Sequence, residues 1–96
     1  MLKHVVMCKF KNSASESAIS EVEKGLGGLP AIISEIMEFE FGKDVLRSER
    51  SYDFALVSGF ENLEKMERYR VHPAHQKVAV KLKEICDSML IVDFET

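Results

Sequence analysis

One short stretch of the chain holds most of the side chains that could perform chemistry. Tyr69 is followed by His72-Pro73 and then by His75, so a phenol and two imidazoles lie close together in the sequence. The apolar residues that follow recur at helical spacing, and His75 falls on the same stripe. An ionisable ring on the inward face of a helix is either a satisfied core residue or part of a pocket.

The start of this helix favours a neutral His75. Pro73 suits the first helical position because its missing N–H would be unpaired there, and it pushes His72, the expected N-cap, towards an extended conformation. His75 then lies in the first turn, where the positive end of the helix dipole disfavours an imidazolium. Burial disfavours the charged ring as well, so the pKa of His75 is expected below its ordinary value near 6.5.

A neutral imidazole beside a phenol suits proton abstraction next to a carbonyl. His75 would accept the proton, and Tyr69 would donate a hydrogen bond to a carbonyl or enolate oxygen. His4, on the first predicted strand, could face the same pocket. The alternative stays open, because tyrosines on helices commonly pack their ring in the core and expose their hydroxyl to water.

Metal and cofactor chemistry receive no support from the sequence. His72 and His75 have a spacing seen in metal sites, but Pro73 disturbs their shared helical face and no third ligand is evident. The glycine-rich segment 25–28 ends a helix instead of opening one, so it does not form a phosphate cradle. No metal and no cofactor are therefore expected.

Composition limits the class of protein. The chain has 96 residues, of which 46% are apolar and 30% charged, so we expect one globular domain over residues 1–96. The net charge of −3 and the absence of a Lys/Arg cluster argue against nucleic-acid binding. No apolar run approaches the roughly 18 residues of a membrane span, and the N-terminus has no signal-peptide design. Cys8 and Cys86 are expected to pack as free thiols in a reducing cytoplasm.

The first half of the chain predicts a strand, a helix and a second strand. Residues 2–10 alternate as a strand, and Ser13 with Glu16 predicts a capping box at the start of the first helix. The glycines at 25–28 and Pro30 are expected to end that helix. Residues 32–45 then predict the second strand.

The second half predicts a strand, an interrupted helix and a final strand. Residues 52–60 form the third strand, and Asn62 is a favourable N-cap for the helix that carries Tyr69. The helix resumes at Pro73 and is expected to run to about Ser88. Residues 89–94 form the last strand.

The predicted order β-α-β-β-α-β is that of a ferredoxin-like α+β fold. Such a fold has a four-stranded antiparallel sheet with two helices on one face. The other face would be bare, and an apolar patch of that size is unusual on a monomer, so a dimer that packs sheet against sheet is expected. The apolar residues expected on the bare face are Val5, Met7, Val57 and Ile91.

With these motifs placed on the fold, the chain resembles the stress-responsive dimeric α/β-barrel (Dabb) family. The resemblance covers nearly the whole chain, and it implies a homodimer whose two sheets form a barrel with the helices outside. The segments that carry it are Tyr69-x-x-His72-Pro73-x-His75, Lys3-His4-Val5-Val6, Lys9-Phe10-Lys11, Gly42-Lys43-Asp44-Val45 and Ile91-Val92-Asp93-Phe94.

The family includes plant polyketide cyclases, and the resemblance implies roles for individual residues. The catalytic tyrosine and histidine of those enzymes correspond to Tyr69 and His75. Their first-strand histidine and the histidine before proline correspond to His4 and His72, which are therefore ligand-binding candidates. Phe54 occupies the position of a further pocket histidine, so it is a third ligand-binding candidate, and this chain departs from the cyclases at that point.

Two functions remain open from the sequence. One is a stress-responsive barrel protein of unassigned activity, a homodimer with a small apolar pocket for a carbonyl or aromatic ligand. The other is a cyclase-like or lyase-like enzyme with His75 as general base and Tyr69 as hydrogen-bond donor. Catalysis predicts an apolar cavity between the second helix and the sheet, open near His75. A non-catalytic role predicts a filled interior, with His75 hydrogen-bonded to protein groups.

Overall fold

Four antiparallel strands and a layer of helices on one face of the sheet make up the structure, a computed structural model that describes residues 1–96. The strand order β2-β3-β1-β4 confirms the predicted ferredoxin-like topology. None of the helices combines the length and the apolar character needed to cross a bilayer. The elements are β1 (Leu2–Phe10), α1 (Glu16–Gly27), α2 (Leu29–Ile32), β2 (Glu38–Lys43), β3 (Phe54–Phe60), α3 (Leu63–Arg70), α4 (Pro73–Ile85) and β4 (Cys86–Glu95).

The strand register decides which side chains face the helices. Val6 of β1 lies opposite Leu56 of β3 and Ile91 of β4, so all three point to the helix-facing side. The core lies between this side and the helices. Its aromatic and strand members include Val6, Cys8, Phe54, Leu56, Phe60 and Tyr69, all of them buried.

The opposite face of the sheet is bare and largely apolar. On the central strand β3, Val57 is 38% exposed, and on the edge strand β4, Val92 is 55% exposed. Glu38 and Glu40 lie on the same face and make part of it polar. Ile91 was expected there and is instead on the helix-facing side, because a one-residue shift along a strand moves every side chain to the other face. The other exposed apolar residues of the bare face are Met7, Leu90 and Phe94.

The first helix begins at a different serine from the predicted one. The side chain of Ser15 accepts a hydrogen bond from the Ala18 N–H at 3.0 Å, so Ser15 is the N-cap and the predicted Ser13 capping box is wrong. Ala14 N–H donates to the Lys11 carbonyl at 3.0 Å. This bond closes a turn that places Ser13 before the helix.

Strand β2 is shorter than predicted, because Pro30 opens a helical turn instead of ending one. Residues 29–32 form α2, with Pro30 in its first turn and the Ile33 N–H bonded to the Leu29 carbonyl at 2.8 Å. The side-chain alternation of a strand begins only at Glu38. The predicted start at residue 32 is therefore wrong.

Two further boundaries differ from the prediction. Strand β3 begins at Phe54, two residues late, because Asp53 belongs to the preceding loop, where its carboxylate accepts the Phe10 N–H at 2.7 Å. Helix α4 ends at Ile85, and Cys86 already pairs with Phe10 in the sheet. The carbonyl of Ile85 accepts the Lys11 N–H at 2.8 Å, which ties the end of the helix to the end of β1.

The helix restart at Pro73 is confirmed. Helix α3 ends at Arg70, and α4 begins with Pro73 in its first turn. His72 is the N-cap in an extended conformation, and its Nδ1 accepts the Ala74 N–H at 3.1 Å. At the other end of α3, Asn62 caps the helix by accepting the Lys65 N–H at 3.0 Å.

Candidate functional site

A cavity of about 200 Å³ lies between α4 and the helix-facing side of the sheet. Apolar side chains form most of its wall, with Val6 and Leu56 below and Val78 and Leu82 above. At the roughly 30 Å³ that a water molecule occupies in the liquid, the space equals about seven waters. A cavity in this place is expected for the catalytic alternative, whereas a hydrogen bond from His75 to a protein group, here the Arg70 carbonyl, is expected for the non-catalytic one. Its polar lining residues are His4, Tyr69, Arg70, His75 and Lys83.

A larger depression of about 520 Å³ lies at the far end of β1. Its wall is mostly charged, with Lys11, Lys43 and Arg47 facing Asp44 and Asp53. Asp53 is already engaged there by the Phe10 N–H and by Arg47 at 2.9 Å, and these contacts hold the pKa of its carboxyl below the ordinary value. We place the candidate site in the smaller cavity because Tyr69 and His75 meet there.

Tyr69 lines the smaller cavity and has an unpaired, buried hydroxyl. Its side chain is only 1% exposed, and its oxygen has no hydrogen-bond partner in the protein. The ring is held by Phe60, with centroids 4.9 Å apart, and by His75 at 4.3 Å. Burial raises the pKa of Tyr69, so the group remains a donor at neutral pH. Nearly all buried polar groups in proteins have a hydrogen-bond partner, and the Tyr69 hydroxyl is an exception. It is therefore available to donate a hydrogen bond to a ligand.

His75 lies beside Tyr69 in a defined tautomer. Its Nδ1–H donates to the Arg70 carbonyl at 3.0 Å, which leaves the lone pair of Nε2 free to accept a proton. Burial is the main cause that lowers the pKa of His75, and the charges of His4, Arg70 and Lys83 lower it further against the opposing effect of the Arg70 hydrogen bond. The lowered pKa that the sequence predicts is confirmed, and the ring is neutral at pH 7.

His4 joins the same cavity from the sheet. Its ring centroid is 6.4 Å from that of Tyr69, and its Nδ1–H donates to the Asp93 carboxylate. Asp93 lies directly opposite His4 in the register of β1 and β4, so the strands themselves bring the pair together. Asp93 was not among the predicted site residues. Its signal in the sequence is that it interrupts the otherwise apolar run of residues 89–94.

The remaining two candidates lie away from the cavity. His72 uses its Nδ1 to cap α4. Phe54 is 3% exposed and packs in the core between Phe10, at a centroid distance of 6.0 Å, and Phe41, at 5.9 Å. The structure therefore brings together His4, Tyr69 and His75. Ligand contact by His72 and Phe54 stays a prediction.

The two cysteines are buried and free. Burial, with a smaller contribution from Cys86, raises the pKa of the Cys8 thiol to about 12. Burial also raises the pKa of Cys86. Both groups are therefore protonated thiols that pack in the core near neutral pH.

Comparison with known proteins agrees with this fold. The chain is 32% identical over 96 residues to "Stress-response A/B barrel domain-containing protein HS1" of Arabidopsis thaliana, covering 98% of this chain and 88% of that protein. It is 30% identical over 95 residues to olivetolic acid cyclase of Cannabis sativa, covering 97% and 94% of the two chains.

A solved structure from Bacteroides fragilis is similar along almost the whole chain. Its TM-score is 0.88 at 29% sequence identity, with 99% of this chain and 95% of that chain covered, and it is described as a dimeric protein of unknown function with a ferredoxin-like fold. Residues 2–96 match the family described as the Stress responsive A/B Barrel Domain. The chain therefore belongs to the stress-responsive A/B barrel (Dabb) family.

Proposed function

We propose that this chain forms a homodimer through the bare sheet face and binds a small, mainly apolar carbonyl or aromatic ligand in the cavity beneath α4. The observation that carries the ligand proposal is the hydroxyl of Tyr69, a residue that lines the cavity, because this hydroxyl is buried with no partner in the protein. A buried polar group without a partner costs about 1–3 kcal/mol. A ligand oxygen that accepts this hydrogen bond would recover that cost.

The surroundings of Tyr69 favour an apolar ligand with few polar atoms. Val6, Leu56, Val78 and Leu82 supply hydrocarbon contact, and such walls with a few convergent polar groups are typical of small-molecule sites. The Nε2 atom of His75 adds an acceptor next to the Tyr69 donor. Together they match a carbonyl compound that carries a proton on the neighbouring carbon.

The bare sheet face supports the homodimer. Its exposed apolar side chains lie opposite the helices, so a second sheet can cover them without closing the cavity. The similar Bacteroides fragilis protein is described as dimeric. A stable dimer of this kind would bury more than about 1,000 Å² in total.

Ligand binding is tested with acetophenone, an aromatic ketone. In a titration followed by amide NMR, we expect acetophenone to shift the resonances around Val78 and Leu82. Tyr69→Phe should weaken binding about fivefold, because a hydrogen bond contributes about 1 kcal/mol. Tyr52→Phe is the matched control, since Tyr52 lies outside this cavity. Equal affinity in Tyr69→Phe, or shifts only at other surfaces, would contradict the proposal.

A second candidate function is proton abstraction next to a carbonyl, as in a cyclase-like enzyme. It is favoured by the neutral His75 with a free Nε2 beside the Tyr69 donor, and by the similarity to olivetolic acid cyclase. In this reaction His75 takes the proton from the carbon beside the carbonyl. Tyr69 donates its hydrogen bond to the developing enolate oxygen.

Enzymatic proton abstraction is tested by exchange of the acetophenone methyl protons in D₂O. We expect the wild-type chain to accelerate the exchange above that caused by free imidazole at the same concentration. His75→Gln should abolish the acceleration, whereas Lys77→Gln, outside the cavity on the same helix, should retain it. Exchange no faster than with free imidazole would leave the binding function and remove the enzymatic one.

A further inference from the structure

The cavity meets the surface at a shallow depression on the outer side of α4. Arg70, His75, Ala79 and Lys83 line both the cavity and this depression, so they form its mouth. Arg70 comes from the end of α3 and Lys83 from the last turn of α4. Two cations from separate elements therefore flank the entrance beside the neutral His75.

The charge at the mouth is only partly balanced by the protein. No Asp or Glu lines either the cavity or the depression. Arg70 is neutralised by Glu67, which accepts its Nε–H at 3.1 Å and a second guanidinium N–H at 3.0 Å. Lys83 has no such partner, whereas Lys81 on the same helix pairs with Glu21. One positive charge is left uncompensated at the entrance.

The field of these cations reaches the interior of the site. Both Arg70 and Lys83 contribute to lowering the pKa of His75, which is partly buried at the inner side of the mouth. Charges within reach of the ring are also within reach of a group on a ligand that touches the ring. The polar ring of His75 and the two cations of the entrance therefore lie at the same end of the cavity.

We infer that the ligand of the cavity is a small apolar acid, and this inference rests on the proposed function. The carboxylate lies at the mouth with Lys83 and Arg70, the hydrocarbon body lies against the apolar walls, and a second ligand oxygen accepts the hydrogen bond of Tyr69. A single negative charge matches the one uncompensated cation. The cavity volume of about 200 Å³ suits a compound with one ring or a short chain.

The expected preference is modest, because the mouth is exposed to solvent. Surface ion pairs contribute roughly 0.2–1 kcal/mol and are screened by salt, while hydrogen bonds to a charged group contribute about 1.5–3 kcal/mol. The contribution of a partly exposed carboxylate to the binding free energy is expected to lie between these limits. We expect an acid to bind about three- to tenfold more tightly than its neutral alcohol at low salt.

The experiment compares 4-methylbenzoate with 4-methylbenzyl alcohol, which has the same ring without the charge. Both are titrated at pH 7.5 into the full chain and followed by amide NMR at the resonances of Val78 and Leu82. Lys83→Gln should remove most of the preference for the acid, measured as the ratio of the two affinities in the same variant. Lys77→Gln is the matched control, because Lys77 is also an exposed, unpaired lysine of α4 but lies outside the cavity.

The outcomes separate this inference from the function on which it rests. If the alcohol binds in the cavity as tightly as the acid, the ligand is neutral and the inference is overturned while the cavity function stands. A preference that survives in Lys83→Gln overturns it as well. If neither compound shifts Val78 or Leu82, both the proposed function and the inference fail.

Lys83 also lies in the last turn of α4, where a cation stabilises the helix dipole. Melting temperatures of both lysine variants distinguish this structural role from ligand selection. Ligand selection predicts that Lys83→Gln changes the acid-to-alcohol ratio with a melting temperature close to that of Lys77→Gln. A lowered melting temperature with an unchanged ratio assigns Lys83 to the helix end and overturns the inference.

Discussion

Tyr69 and His75 show how two ordinary residues acquire complementary properties from their surroundings. Burial keeps the pKa of Tyr69 high and that of His75 low, so one group holds its proton and the other is ready to accept one. The Arg70 carbonyl then selects which nitrogen of His75 is free. The site depends on this difference in pKa between the neighbouring side chains of Tyr69 and His75.

Removing the Tyr69 hydroxyl is expected to stabilise the free protein. Tyr69→Phe eliminates a buried group that has no partner while keeping the ring contacts, so the free energy of unfolding should rise by about 1 kcal/mol. Urea denaturation measures the change. Tyr52→Phe is the control, because Tyr52 accepts a hydrogen bond from Ser88 at 3.3 Å and should lose stability or stay unchanged. A clear loss in Tyr69→Phe would show that the hydroxyl is satisfied.

His75 should make stability depend on pH in the weakly acidic range. In the unfolded chain His75 takes up its proton near pH 6.5, whereas in the folded chain its pKa is lowered, so the unfolded state binds more protons between the two values. The contribution of His75 is therefore fully present above about pH 6.5 and is lost as pH falls through the lowered pKa. The contribution of Asp53, whose carboxyl pKa is also lowered, is lost in the same direction but only around and below its ordinary pKa of 3.8.

The measurement is the free energy of unfolding at pH 7.5 and at pH 5.5. We expect it to fall more steeply with decreasing pH in the wild type than in His75→Gln, which lacks the buried imidazole. The difference between the two proteins isolates His75 from His4 and His72. Parallel pH profiles would contradict a neutral, buried His75.

At the scale of elements, the ends of helices decide where the functional residues point. Helix α3 ends at Arg70 and α4 restarts at Pro73, and this interruption folds His75 back over Tyr69. An unbroken helix would carry the two side chains along one continuous axis, separated by six residues and about 9 Å of rise. The restart therefore creates the contact.

The two serines before α1 provide a direct test of its N-cap. Ser15→Ala removes the acceptor for the Ala18 N–H and should lower the free energy of unfolding by about 1 kcal/mol. Ser13→Ala should change it by less than about 0.5 kcal/mol, because Ser13 is an exposed residue outside the helix. Thermal or urea unfolding measures both variants. A larger loss in Ser13→Ala would restore the capping box that the sequence predicts.

At the scale of the whole molecule, the sheet has two different faces. One is covered by helices and contains the cavity, and the other exposes apolar side chains along β1, β3 and β4. An apolar sheet face of this kind is typical of an interaction surface. The proposed dimer would use one face for assembly and leave the other for the ligand.

A charge in the bare face should break the proposed dimer. Val92→Glu places a carboxylate on the outer side of β4, where it would be desolvated between two sheets, and we expect a monomer at micromolar concentration. Sedimentation equilibrium measures the mass. Val45→Glu is the control, because Val45 is 94% exposed in the loop after β2 and should leave the dimer intact. A wild-type monomer, or a Val92→Glu dimer, would contradict assembly through this face.

Local chemistry determined the order of elements and the helix restart. Strand alternation, helical spacing and the position of Pro73 act over a few residues, so the sequence by itself predicts the fold and the neutral His75. Where two local signals compete, the prediction failed: Ser13 and Ser15 were equally good caps by type, and a hydrogen bond of Ala14 decided between them.

Only the tertiary structure decided how distant residues meet. The pairing of His4 with Asp93 joins the two ends of the chain and follows from the register of β1 and β4. The same register turned Ile91 towards the helices. The unpaired state of Tyr69 is likewise set by groups that pack against it from other elements. Such facts depend on contacts between strands and helices far apart in sequence, and no local pattern encodes them.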